Sequence, residues 1–511
     1  VPPNTAPPAA DSCGNSRVEP RAVLVAPRQY VNVLRDMLGA TSVSDADAAA
    51  SSELNIETID RPRVTTATLD RYSRLSERAA ESLRGKTTTF LSCPSLTDAT
   101  CVRTALGRIA HRAFKRPVAK EELDAIMALR DMGVSAVADQ GETGALTAIQ
   151  AIMLAPSTIY RTEFQQAAQG MTRTLNAHER AAALAAFVLD SVPDDALLAA
   201  ADDGSLATPA GLEKQVDRLL ALPRVRTYLT QVVLTAYNVT RIFNTPKDPA
   251  AFPTYTPALQ TSMYEETRRF VEDVLWTRKA PLGELMTSRN TFVDGALSKL
   301  YGLPTPSGNG MEFKPTQVGP ERSGLLSHAS VLSVLSRTDK NSVVARGLYV
   351  RGSILCLPKP PPPPDSVAAQ VAMQLDAKAS QKELAAYRAM TSPCLGCHAN
   401  FDRFGLLLEA FDPIGRYLPA QAEAQDFTGL SPLSGTVKDL SGLAATLEQK
   451  QLFEQCFADR TLSFALTTAS DSAKMCLRPN GVHVPASATM RDLVLAVAQS
   501  PTFNDRTQVG P

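Results

Sequence analysis

The stretch "SPCLGCHANFDRFGLLLEAFDPIGR", residues 392–416, decides how the C-terminal part of this chain is read. Cys394 and Cys397 are separated by two intervening residues and are followed at once by His398, one of five histidines among 511 residues. Thiols at that spacing reach both vinyl groups along one edge of a porphyrin, and the adjacent imidazole reaches iron from the neighbouring face. The pattern reads as the attachment site of one covalent haem c, with His398 as the proximal iron ligand. Other chemistries also use Cys-x-x-Cys. A thioredoxin-type redox loop needs a βαβ setting that this segment lacks. A zinc site needs further ligands, and the sequence offers neither a second Cys-x-x-Cys nor a spaced His pair. A small Cys394–Cys397 disulfide loop remains the alternative.

Beyond the motif, Phe401, Phe404, Leu407, Leu408 and Phe411 recur at helical spacing. They form either an apolar wall for a macrocycle or the core-facing side of an ordinary helix. Asp412, Pro413 and Gly415 carry a turn signature. Arg416 is placed to pair with a haem propionate, or else is an exposed helix-end cation. For the opposite face of the iron the candidates are Met475, Met490, Met390, Met373, His328 and His483. Met475 is preferred, because small cytochromes take a methionine well downstream and Met475 sits beside Cys476. Each of these methionines is equally at home in a core.

Upstream of the motif, "CLPKPPPPPDS" (356–366) contains five consecutive prolines, 360–364. Such a run cannot continue a helix and forms a stiff polyproline II spacer. It divides the chain into a leader (1–20), an N-terminal helical domain (21–170), a central helical domain (171–320), a helical block (321–357), a linker (358–365) and a tail domain (366–511). At this length about two to four domains are expected.

Nearly every long segment has helical periodicity. "RQYVNVLRDMLG" (28–39) sets Tyr30, Val33, Leu34, Met37 and Leu38 on one stripe and stops at Gly39. The region 104–133 reads as a helix to Lys115, a break at Pro117 and a second helix opened by acidic residues. "ALTAIQAIMLAPSTIYRTEF" (145–164) reads as a helix interrupted at Pro156. "LNAHERAAALAAFVLDSVPDDALLAAADDG" (175–204) reads as a helical hairpin in which Asp194 and Asp195 open the second helix. "TSMYEETRRFVEDVLW" (261–276) is amphipathic, with its charges forming a solvated face. The fold class is therefore mainly α: a multidomain helical body followed by a cytochrome c-like helical domain.

Lys plus Arg and Asp plus Glu both number 52, so no single-sign field draws in nucleic acid. Aromatic residues make up only 6%, which argues against base-stacking or carbohydrate platforms. No apolar run is long enough for a transmembrane helix. The first residues, "VPPNTAPPAADS", read as a Pro/Ala-rich leader such as follows a removed signal or a lipid anchor outside the given sequence. Eight cysteines, six of them outside the motif, fit disulfides and an oxidising compartment. Cys93–Cys101 and Cys456–Cys476 are the local pairings, leaving Cys13 to Cys356, with buried free thiols as the alternative.

The tail resembles the planctomycete- and myxobacterium-type cytochrome c proteins built from a run of domains of unknown function. There, Cys-x-x-Cys-His precedes Asp-Pro-x-Gly and then Glu-x-Phe-Asp-x-x-Gly-Arg. Cys394, Cys397, His398, Asp402, Gly405, Glu409, Phe411, Asp412, Gly415 and Arg416 match, and Arg403 stands where the proline is usual. Residues 322–364, "SMYEETRRFVEDVL", "NTFVDGALSKLYGLP", "SVPDDALLAAADDG", "AFKRP" and "RQYVNVLRDMLG" resemble the family's earlier blocks, in its order. Asp190 departs from the pattern, where an aromatic is expected.

From motif and resemblance together, the expected role is that of an exported monohaem cytochrome in the periplasm or at the cell surface, passing electrons between redox protein partners. Cys394, Cys397, His398, Phe401, Phe404 and Arg416 would hold the haem, and His398 and Met475 its iron. Two alternatives stand beside it: a haem oxidoreductase with an open iron position, and a structural or assembly subunit, homo- or hetero-oligomeric, carrying a relay haem. The helical body shows no catalytic constellation.

Overall fold

The computed structural model describes residues 18–47, 65–136, 139–163, 171–304, 310–358, 360, 379–391, 394–467 and 481–507. It is mainly α-helical, and among the described residues strand is confined to short two-stranded antiparallel ribbons. Two compact units are discontinuous in sequence. One gathers Val1–Tyr228, Thr461–Val482 and Val494–Pro511, and the other Leu229–Arg460 and His483–Leu493. Among the described residues no helix is long and apolar enough to cross a membrane.

In the first unit, the helix Pro27–Leu38 starts on a proline whose missing N–H costs nothing there. It buries Tyr30, Val33, Leu34, Met37 and Leu38, and stops where Gly39 takes a φ of 60°. The helix Ala99–Phe114 is opened by Asp98, whose carboxylate accepts the N–H groups of Thr100 and Cys101 at 3.0 and 3.1 Å. Lys120–Ala136 follows Pro117 with Glu121 and Glu122 in its first turn, at the positive end of the helix dipole. Apolar faces of these helices, with those of Thr66–Glu81 and Glu142–Leu154, close one core that includes Tyr30, Tyr72, Leu106, Ile149 and Met153.

Helix Glu142–Leu154 ends before Pro156 as expected, but the continuation differs. A single turn, Pro156–Ile159, leads into a strand, Tyr160–Glu163, antiparallel to Arg21–Leu24 with Arg21 opposite Glu163. Glu163 is buried there, with Arg21, Arg161 and Arg506 at 2.9, 3.1 and 2.5 Å. That charge cluster favours the extended conformation over further helix. The hairpin of Ala177–Val188 and Asp195–Asp202 forms as expected, with Asp194 accepting the Leu197 N–H at 2.9 Å. Asp190, the residue departing from the family pattern, is buried and ion-paired to Arg28, and it accepts the Asn32 amide at 2.8 Å.

The second unit is built on the helix Pro257–Glu272, which buries Met263, Thr267, Phe270 and Val271. Arg268 links Glu265 and Glu272 on its outer side at 2.7 and 2.6 Å. The expected solvated face is incomplete, because Glu266 is fully buried. The ribbon Asn290–Val293/Lys314–Gln317 and the helix Gly295–Tyr301 pack against this helix and cover that position.

Disulfide pairing agrees with expectation at Cys93–Cys101 and not at Cys456. Cys456 is bonded to Cys356, across 100 residues, with Cα atoms 5.3 Å apart. The Cys456–Cys476 and Cys13–Cys356 pairings are thereby excluded, and Cys13 and Cys476 lie outside the described residues. Proximity in the fold, not along the chain, selects the partner.

Candidate haem-attachment site

The helix Gln381–Met390 opens with a reciprocal cap. Glu383 accepts the Ser380 N–H at 2.7 Å, and Ser380 accepts the Glu383 N–H at 3.2 Å. A few residues on, the one-turn helix Leu395–His398 begins at Cys394, whose carbonyl accepts the N–H groups of Cys397 and His398 at 3.1 and 3.0 Å. This turn holds both thiols and the imidazole on a single short rigid piece. Cys394 is buried, Cys397 partly so, and both are free thiols. Among the described residues the other four cysteines are oxidised in pairs.

The His398 imidazole is oriented by a carboxylate one turn on. Its Nδ1 lies 3.1 and 3.2 Å from the two Asp402 oxygens. Asp402 is itself buried and bound by Arg388 Nε at 3.1 Å. A carboxylate acceptor places the ring proton on Nδ1 and leaves the Nε2 lone pair for a metal. Among the described residues Nε2 makes no protein hydrogen bond, and the ring lies 4.9 Å from that of Phe401. Two thiols and an imidazole fixed in its Nε2-basic tautomer are the donor set a haem c requires, so the residues fit the group.

Behind the motif, Phe401, Phe404, Leu407, Leu408 and Phe411 are all buried, at 3% exposure or less. Phe401 immediately precedes the helix Asp402–Leu407, and the others lie on that helix, a following 3₁₀ turn and an extended residue. Phe401 faces His398, whereas Phe404 packs in a tilted arrangement against Phe427 in the interior, ring centroids 4.9 Å apart. The Asp412 carboxylate closes the expected turn, accepting the N–H groups of Ile414 and Arg416 at 2.9 and 2.8 Å. Arg416 is half exposed and ion-paired with Asp412 at 3.2 Å.

Met475, the preferred second iron ligand, lies outside the described residues, as does Met373. Met390 is on the surface at 81% exposure, Met490 is buried, and His483 Nδ1 is 3.0 Å from Gln455. His328 is buried, with Nδ1 3.0 Å from the Thr267 hydroxyl and its ring against Phe270. None of the described ones is brought to His398 by a contact.

Comparison with known proteins gives three partial matches in chain order. PSD5, protein of unknown function (DUF1595), matches residues 101–163. PSD4, protein of unknown function (DUF1592), matches 175–303, and PSCyt3, protein of unknown function (DUF1588), matches 322–421. These domains fit a multidomain cytochrome-like protein of the planctomycete type. No curated protein and no solved structure matches. The PSCyt3 match spans both the proline run and Cys394–His398, and its name points to a cytochrome-like role.

Within the PSCyt3-matched region, two buried arginines tie the segment after the Cys-x-x-Cys-His to the residues before it. Arg346 donates to the carbonyls of Leu408, Phe411 and Asp412 at 2.5, 2.8 and 3.1 Å. Arg322 donates to the carbonyls of Ser327 and Gly415 at 2.7 and 2.6 Å, with its guanidinium 3.7 Å from the Tyr301 ring centroid. The sequence gives no sign of these roles, since an arginine in an amphipathic stretch reads as surface.

Arg322 also borders a small cleft lined by Glu266, Thr291, Tyr301, Gly324 and His328. Glu266 accepts the Tyr301 hydroxyl at 2.6 Å and the Thr291 hydroxyl at 3.0 Å. Burial pushes its carboxyl up to about 7, against the pull of Tyr301 and Arg322. Burial, reinforced by Arg322, lowers His328 to about 3, so that imidazole is neutral at ordinary pH. A carboxyl poised near neutrality beside a fixed cation is able to take up or release a proton.

Proposed function

We propose that this chain is an exported monohaem c-type cytochrome that carries electrons between redox protein partners in the periplasm or at the cell surface. The observation that carries this reading is the pair of free thiols, Cys394 and Cys397, on one helical turn with His398, whose Nδ1 is held by Asp402. Each thiol S–H would add across one vinyl group, which consumes no oxidant. The haem, when bound, supplies one-electron redox chemistry at iron.

The chain's own residues set the conditions for that chemistry. Asp402 fixes the His398 tautomer and ring orientation, and Arg388 fixes Asp402. The buried Phe401 shields one edge of the imidazole from water. Arg346 and Arg322 hold the following segment rigid, which limits rearrangement on electron transfer. Docking of redox partners, and any lipid anchor, belong to the same proposal. An oligomer is compatible with it.

The test is an alkaline pyridine spectrum of denatured protein made in a host able to attach haem c. One c-type haemochrome per chain is expected, lost in the Cys394→Ser/Cys397→Ser variant. Haem-free protein with a Cys394–Cys397 disulfide would overturn the proposal. Carbon monoxide added to the native ferrous protein then separates a carrier, whose spectrum does not change, from an oxidoreductase with an open iron position.

A further inference from the structure

Two of the five histidines lie far from the Cys-x-x-Cys-His in sequence and meet across one carboxylate. His111 Nε2 is 3.1 Å and His178 Nε2 2.8 Å from the same oxygen, Oδ1 of Asp202. The three ligand atoms all lie within 4.8 Å of one another. They come from three separate helices of the first unit: the last turn of Ala99–Phe114, the first turn of Ala177–Val188 and the final residue of Asp195–Asp202. Sequence spacing shows none of this, because the residues are brought together only by packing.

We propose that His111, His178 and Asp202 form a solvent-open site for a divalent transition metal, with Zn²⁺ as the fitting ion. Zinc bonds to imidazole nitrogen and carboxylate oxygen are about 2.0–2.2 Å long, so ligand atoms around a tetrahedral ion stand about 3.3 Å apart. The separations at Asp202 are within a few tenths of an ångström of that edge, and small side-chain rotations open them. Imidazole with carboxylate is a donor set for borderline divalent ions and not for Ca²⁺ or Mg²⁺, which take oxygen alone.

Electrostatics supports a cation there. Asp202 ends its helix at the negative pole of the helix dipole, and no basic residue occupies that helix's last turn. Both imidazoles are partly exposed, at 28% and 21%, so an ion has a path in and a water completes its shell. The ligands come from two matched regions, His111 from the PSD5 match and His178 and Asp202 from the PSD4 match. A bound ion would clasp the two regions together.

The experiment uses full-length, haem-loaded chain stripped with a chelator and dialysed against micromolar Zn²⁺, with metal counted by mass spectrometry. Wild type is expected to hold one Zn²⁺ more per chain than His111→Ala/His178→Ala, and Asp202→Asn to bind at least tenfold more weakly. Zinc K-edge absorption of the wild type, which needs no variant to fold, is expected to show imidazole and oxygen neighbours without sulfur. Equal metal content in wild type and the double variant, or a sulfur shell from cysteine thiols, would overturn the site.

Discussion

At Glu266 a carboxyl group sits inside the second unit with Tyr301 and Thr291 as donors, and its neighbour His328 is equally enclosed. The two groups pull stability in opposite directions with pH. Glu266, raised from 4.5 to about 7 by burial, contributes stability that is fully present below about pH 4.5 and is lost as pH rises through 7. His328, lowered from 6.5 to about 3, contributes stability that is present above about pH 6.5 and lost as pH falls toward 3. Their windows overlap, so the two contributions offset each other between about pH 4.5 and 6.5. Glu266→Gln removes one slope and leaves the other. The variant is expected to gain roughly 1–3 kcal/mol over wild type at pH 8 relative to pH 4.5, by urea denaturation. Parallel stability curves for the two proteins across that range would show that Glu266 does not titrate as its burial implies.

Among elements, the helices Val343–Tyr349 and Asp402–Leu407 approach each other closely. A Cβ on Gly405 would stand 2.0 Å from the Val343 carbonyl oxygen, and one on Gly347 2.2 Å from that of Phe401. Neither neighbour is a flexible side-chain end, so both helices must separate to admit a methyl group. Gly405→Ala and Gly347→Ala are each expected to cost about 1–3 kcal/mol. Gly396→Ala, with open space around it, serves as the control and stays within about 0.5 kcal/mol. A Gly347→Ala protein as stable as the control would refute the tight contact. The helices themselves were legible from apolar periodicity and their end signals, as at Tyr30 to Gly39 and at Asp194. So was the buried run from Phe401 to Phe411, since both depend on neighbours a few residues away. Arg388, Glu266 and the Cys356–Cys456 bond were not legible. Arg388 finds Asp402 from a different helix, Glu266 is covered by strands far along the chain, and the disulfide is chosen by the tertiary fold. The turn at Phe411–Arg416 was read correctly because Asp412 makes it with its own backbone neighbours.

Across the whole molecule, the Cys356–Cys456 bond constrains the longest described span. In the chain-entropy view, long closures restrict the unfolded ensemble most. Cys356→Ala/Cys456→Ala is expected to lower stability by roughly 2–4 kcal/mol, seen as a lower urea midpoint, whereas loss of the short Cys93–Cys101 closure costs less. A double variant with an unchanged midpoint would show that the bond is conformationally neutral. This bond also makes residues 357–455 a covalent ring that contains Cys394, Cys397 and His398. A protease that nicks the ring once yields two polypeptides that still travel as one molecule until a reductant is added. The piece that carries the Cys-x-x-Cys-His therefore cannot be shed by a single cut within that ring.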